Sequence, residues 1–158
     1  MKPNYLLPNH FKKIGWILFI PGIILGVFYL FDEIYFNFLD LKILSIASQH
    51  LAGTTELFSI TKNNFTDELI GLLLIMGSLL IAFSKEKSED EFISKIRLES
   101  LVWATYFNYA ILIITIIFIF DTLFFWVLVF NMFTILIFFI IRFNWALYKT
   151  KNQLKDEE

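Results

Sequence analysis

The sequence predicts an all-α integral membrane protein with four transmembrane helices. Three observations lead there. The chain has 158 residues, of which 58% are hydrophobic and 19% aromatic, against about 45–50% apolar residues in an ordinary soluble domain. Its apolar residues gather into long runs nearly free of charge, and a run of about 18 or more is what roughly 30 Å of hydrocarbon demands of a helix. The Lys and Arg residues collect between those runs with a strong bias to one side, as the positive-inside tendency requires. At this length a single membrane domain is the expectation.

The first span is expected at residues 14–31, after Lys12 and Lys13 and before Asp32 and Glu33. A basic start and an apolar run also describe a signal peptide. The run ends in Phe28-Tyr29-Leu30-Phe31 with no small-residue cleavage pattern, so a retained helix is the reading. Pro21 removes one backbone donor and bends it. Gly22 and Gly26 form a G-x-x-x-G face, with Gly15 seven residues before Gly22. Small faces let helix backbones approach in lipid. Packing inside one monomer outweighs a homo-oligomer interface at these two glycines, since four helices must find neighbours.

The second span is expected at residues 67–84. Thr66 is placed as its N-cap, with Asp67 and Glu68 in the first turn where the helix dipole favours acids. Its apolar part, Leu69 to Phe83, reaches only about 22 Å at 1.5 Å per residue, so a re-entrant segment is the competing reading. The third and fourth spans, residues 101–120 and 123–141, are separated by Asp121-Thr122. So short a connection makes them a tight antiparallel hairpin.

Between the first two spans lies an extracytoplasmic segment, residues 32–66. Leu39, Leu41 and Ile43 alternate with Asp40 and Lys42, as in a strand, whereas polar positions 37, 40, 45 and 48 suit a helix lying on the membrane. An isolated strand leaves its edge groups unpaired, which favours short interfacial helices. Eleven Lys and Arg fall on the side of the termini, and only Lys42 and Lys62 on the other. Both termini are therefore expected in the cytoplasm of a bacterial (inner) membrane. Trp16, Trp103, Trp145 and Tyr148 stand where a cytoplasmic aromatic belt belongs, and Trp126 serves the outer interface.

The densest charge lies in S-K-E-K-S-E-D-E-F-I-S-K-I-R-L-E-S, Ser84 to Ser100. Ser88 to Glu91 reads as a capping box. Glu91, Lys95 and Glu99 then follow at i, i+4, i+8 with alternating sign, a stabilising ladder. The block is thus a cytoplasmic helical extension, residues 88–100, running into the third span. Asp90, Glu91 and Arg97 are its candidate partner-binding residues.

Asn108 and Asn131 are the deep polar residues of the third and fourth spans. Counted outward from Asp121-Thr122, Asn108 is level with Thr134 or Ile135, and Asn131 with Ile111 or Leu112. Interhelical amide hydrogen bonds contribute about 0.6 kcal/mol on average, and helix packing is the reading preferred over a polar path. The apolar stretches of the spans (Leu69 to Phe83 for the second) contain no Asp, Glu, Lys, Arg or His, although proton-coupled transport usually needs one.

The absence of Cys excludes disulfides and thiolate chemistry. His10 and His50 fall on opposite sides of the membrane, and no metalloprotease, hydrolase or phosphate-loop motif occurs. Neither a cofactor nor a catalytic residue is expected, and nucleic acid is not an expected partner. The expectation is a non-enzymatic regulatory or scaffold component acting through its charged cytoplasmic helix. The alternative is a small oligomeric transporter or pore subunit.

The charged block, followed directly by an aromatic span, resembles that of small uncharacterised four-helix membrane proteins of bacteria, which share an acidic D-E, then Arg and Ser, before their third span. N-N-F-T-D-E-L before the second span and F-N-M-F-T-I-L-I-F-F-I-I-R-F in the fourth are similar too, so the resemblance covers roughly residues 61–145. Some such families are encoded beside small helix-turn-helix regulators, which implies a regulatory membrane partner. The resemblance implies no role for any individual residue.

Overall fold

The computed structural model describes residues 5–31, 36, 39–48 and 56–156. Its elements run α1 (His10–Leu30), β1 (Asp40–Ser48), β2 (Glu56–Asn64), α2 (Thr66–Ala82), α3 (Glu91–Phe118) and α4 (Asp121–Asp156). Three of them, α1, α3 and α4, are long and apolar enough to cross a membrane. At seventeen residues, α2 spans about 26 Å, just under the hydrocarbon thickness. Large apolar side chains such as Ile17, Ile24, Tyr106, Ile113, Phe118 and Leu123 face outward along the long helices. A surface of this extent is compatible with a multi-pass membrane protein and far exceeds the apolar patches of soluble monomers. The residues group into two compact units, Ile20–Leu73 and the remainder.

In the first unit, the described residues Asp40–Ser48 and Glu56–Asn64 of the segment expected as interfacial helices are instead the paired strands of a β-hairpin; residues 32–35, 37–38 and 49–55 of that segment lie outside the described residues. β1 and β2 pair antiparallel, Asp40 opposite Asn64 through Ser48 opposite Glu56. The objection to a lone strand fails because the same segment supplies its own partner, and the alternation at positions 39–43 is the signal that holds. A two-stranded hairpin alone is marginal in water, and this one is tied at its base. The Asn64 amide donates to Asp40 Oδ1 (2.7 Å) and to the Phe36 carbonyl (2.9 Å), while its Oδ1 accepts from the Thr66 N–H (3.0 Å). Thr66 is therefore not the N-cap of α2. It is the first helical residue, its hydroxyl buried without a partner, and Asn64 serves the helix start.

The second unit holds the core. Phe19 of α1, Ile81 and Ala82 of α2, Ile96 and Ala104 of α3, and Phe139, Ile140, Phe143 and Leu147 of α4 form one buried cluster. α1 and α2 meet at glycines. A methyl group on Gly15 would stand 2.9 Å from the Ile81 backbone nitrogen and 3.0 Å from the Gly77 carbonyl oxygen. One on Gly77 would stand 2.7 Å from the Phe19 nitrogen. Only bare backbone fits there, the reason small residues concentrate where membrane helices touch. Gly22 is buried and Gly26 half-buried.

α3 buries one stripe, Ile96, Ser100, Ala104 and Asn108, at four-residue spacing, and packs against α4. The Phe107 and Phe138 rings meet edge to face with centroids 4.9 Å apart. The connection is not Asp121-Thr122. α3 ends at Phe118, Ile119 donates its N–H to the Thr115 carbonyl (2.8 Å), and α4 already begins at Asp121. Asp121 takes the positive φ of 60°, a conformation that Asp tolerates better than most residues. The turn is thus Ile119-Phe120, and moving its centre by two residues shifts the facing register by four. Asn131 then lies opposite Asn108, not level with Ile111 or Leu112, and donates to its oxygen at 3.3 Å.

Candidate functional site

At one end of the helices the chain between α2 and α3 is built into a polar clasp. The N-terminal segment docks on it by backbone pairing. Leu7 donates to the Phe83 carbonyl and accepts from the Lys85 N–H, both at 2.8 Å. The Asn9 amide donates to the Lys85 carbonyl at 2.7 Å. Lys12, in the first turn of α1, forms a mostly buried ion pair with Glu86. Its ammonium also lies 5.7 Å from the centre of the Phe143 ring. Residues 7, 9 and 12 are thereby fixed to residues 83–86.

Arg97 is the centre of the clasp. Nη1 donates to the Ala82 carbonyl (2.7 Å) and Nη2 to that of Ser84 (3.2 Å). Nη2 also reaches both carboxylate oxygens of Glu89, at 3.3 and 3.2 Å. The guanidinium lies 4.6 Å over the Phe143 ring, a cation–π contact. α2 has no basic residue in its last turn, so its terminal carbonyls carry the negative end of the helix dipole uncompensated. Arg97 supplies that charge from the neighbouring helix. A fork with several N–H donors is suited to this, where lysine has one compact ammonium.

The clasp changes the reading of the charged block. Ser88 does not begin a capping box. Glu89 points to Arg97 and accepts the Glu86 N–H at 2.8 Å, so the chain is non-helical there. Asp90 is the N-cap, accepting the Ile93 N–H at 2.8 Å, and α3 starts at Glu91. The sequence-expected extension at 88–100 is therefore helical only from residue 91, but from there it continues without a break to Phe118.

Of the three expected partner-binding residues, Asp90 caps the helix, Glu91 is exposed, and Arg97 faces inward with a side chain only 13% exposed. Arg97 pairs with Glu89 rather than sharing a surface with Asp90. Lys95 and Glu99 of the expected ladder stand 3.9 Å apart on the surface, a geometry worth at most a few tenths of a kcal/mol. Beside them Phe92 is 54% and Leu98 62% exposed.

Around the same end runs an aromatic and cationic girdle. Arg142 lies 6.0 Å from the Trp103 ring and 5.0 Å from that of Trp145, with Lys149 6.0 Å from the latter. Of the packing candidates, the Asn131 amide donates one hydrogen bond to Asn108 Oδ1, and Asn108 is 3% exposed. No group of three or more His, Asp or Glu side chains placed to hold a metal occurs among the described residues, and His50 lies outside them.

Glu89, Phe143, Gly77 and the Lys12–Glu86 pair were not singled out from the sequence. Gly77 follows Gly71 in the second span and could have been matched to Gly15 as a small-residue face. The Lys12–Glu86 pair joins residues 74 apart, and nothing local announces it. No protein family, curated protein or solved structure matches the chain.

Proposed function

We propose that this chain is a four-span protein of the bacterial inner membrane with both termini cytoplasmic, acting without catalysis as a regulatory or scaffold component. Its partner is a protein that docks on the outward face of the first turns of α3. The observation that carries this reading is the clasp. Arg97, Glu89 and Phe143 lock the start of α3 from behind, which leaves Phe92, Lys95, Leu98 and Glu99 outward on a rigid helix. A mixed apolar and charged face of that kind suits protein contact better than a solvated connector does.

The span count rests on a bond argument. If α1 crosses the bilayer, Leu7 and Lys12 lie on the side where it starts. The end of α2 is hydrogen-bonded to that same segment, which supports a reading in which α2 returns across the bilayer despite its length. Snorkelling of Lys85 and Lys87 and slight local thinning offset the shortfall. α3 starts at that end and α4 comes back to it, since Arg97 and Lys12 share the Phe143 ring. α3 and α4 then form an antiparallel hairpin about Ile119-Phe120. The girdle of Trp103, Arg142 and Trp145 at that end supports its assignment to the Lys- and Arg-rich cytoplasmic side. The Asn108–Asn131 pair favours packing over a water path, and the resemblance in residues 61–145 points the same way, to a membrane component that works with a regulator.

The test is capture of partners from native membranes by the full chain after mild cross-linking. The triple variant K95E/L98S/E99K alters the outward face and leaves Arg97 and Glu89 in place. It is expected to lose the partners that the wild type retains. The same partners with both proteins, or none with the wild type, would sink the proposal.

A further inference from the structure

Beside the clasp lies a half-open groove of about 400 Å³ lined by Asn9, Lys12, Lys13, Trp16, Glu86, Lys87, Ser88, Ile93 and Leu147. Its charges do not balance: three lysines face one carboxylate, and Glu86 is already committed to Lys12. Lys13 and Lys87 are exposed and have no ion-pair partner among the described residues. The groove also has an apolar part, made by Trp16, Ile93 and Leu147. Cations and hydrogen-bonding groups (Asn9, Ser88) thus sit beside an aromatic and aliphatic wall, at the end of helices long enough to span a bilayer.

We propose that this groove binds the phosphate headgroup of an anionic phospholipid, with Lys13 and Lys87 contacting the phosphate and Trp16, Ile93 and Leu147 covering the first part of an acyl chain. Three features select a lipid over a free anion. The net charge of the lining is +2, which favours an anionic over a zwitterionic headgroup. The apolar wall has no use for inorganic phosphate. The tryptophan belongs at headgroup depth, where its amphipathic ring is most stable. The inference rests on the membrane reading above but not on which leaflet the groove faces.

Lipid binding to the full chain in detergent micelles, followed by native mass spectrometry with phosphatidylglycerol and with phosphatidylcholine, tests it. The wild type is expected to bind phosphatidylglycerol several-fold more tightly. A basic residue at an anionic surface contributes roughly fivefold in affinity, so the double variant K13Q/K87Q is expected to bind it about 25-fold more weakly, with phosphatidylcholine unchanged. Both lysines are surface residues without partners among the described residues, so the variant keeps its fold; K62Q, on the β-hairpin, is the control and is expected to bind like the wild type. Equal affinity for the two lipids in the wild type, or undiminished selectivity in K13Q/K87Q, would overturn the proposal. Displacement of the lipid by millimolar inorganic phosphate would make the ligand a free anion and overturn the lipid assignment. Because micelles have no sides, a wrong topology leaves this result intact and is detected separately, by sided labelling of a cysteine at position 87.

Discussion

Replacing Arg97 by methionine keeps the length and apolar stem of the side chain and removes every polar contact at its tip. The Ala82 and Ser84 carbonyls lose their donor, and Glu89 is left as a carboxylate 12% exposed with no cation beside it. Breaking a buried ion pair from one side costs about 3–5 kcal/mol, mostly through the stranded partner. The Glu89 contacts, at 3.2 and 3.3 Å, are long for charge-assisted bonds, which places R97M at about 3 kcal/mol. The second variant isolates the cause. In R97M/E89Q the stranded charge is gone, and the glutamine oxygen can still accept the Glu86 N–H. About half the loss, roughly 1.5 kcal/mol, should return, so the coupling between the two sites is that recovery plus the cost of E89Q alone. R97K, with a charge but no fork, should fall between wild type and R97M. The assay is reversible unfolding in bicelles by titrated denaturing detergent, read by tryptophan fluorescence. An R97M protein within about 0.5 kcal/mol of wild type, or a double variant no better than the sum of the singles, would refute the clasp.

Two further outcomes follow from packing. G77A puts a methyl group 2.7 Å from the Phe19 backbone and should cost about 1–3 kcal/mol, as overpacking does, in the same unfolding assay. N108V strands the Asn131 amide and should cost about 0.6–1.7 kcal/mol. N108V/N131V, which leaves no amide unpaired, should recover most of that loss.

The helices were largely legible because hydropathy over twenty residues depends on no tertiary contact. Their ends were less so. The capping box at Ser88 was a sound local pattern, yet Glu89 was drawn away by Arg97, and that competition exists only in the folded chain. The turn between α3 and α4 was placed two residues late because Asp121 looks like a loop residue. In the fold it is the first residue of a helix, held at positive φ. Asn108 and Asn131 were each expected to pack between helices, but at different levels; the register depended on that turn, was off by about one helical turn, and so hid their contact with each other. The β-hairpin was visible in the alternation at positions 39–43 and lost to the argument about edges, although Phe58-Ser59-Ile60-Thr61 of β2 alternates as well. Arg97 was picked out with Asp90 and Glu91 as a partner-binding candidate of the charged block. Its inward direction depends on Phe143, in another helix, and no spacing rule carries that.

The central claim is that α2 returns across the membrane to meet the start of α1, and sided cysteine labelling addresses it most directly. The chain has no native Cys, so K62C, on β2, and K87C, between α2 and α3, each report one site cleanly. The account expects a membrane-impermeant maleimide to label K62C from outside intact cells and K87C only after the membrane is opened. Labelling of both residues from the same side would leave α2 uncrossed and contradict the four-span architecture.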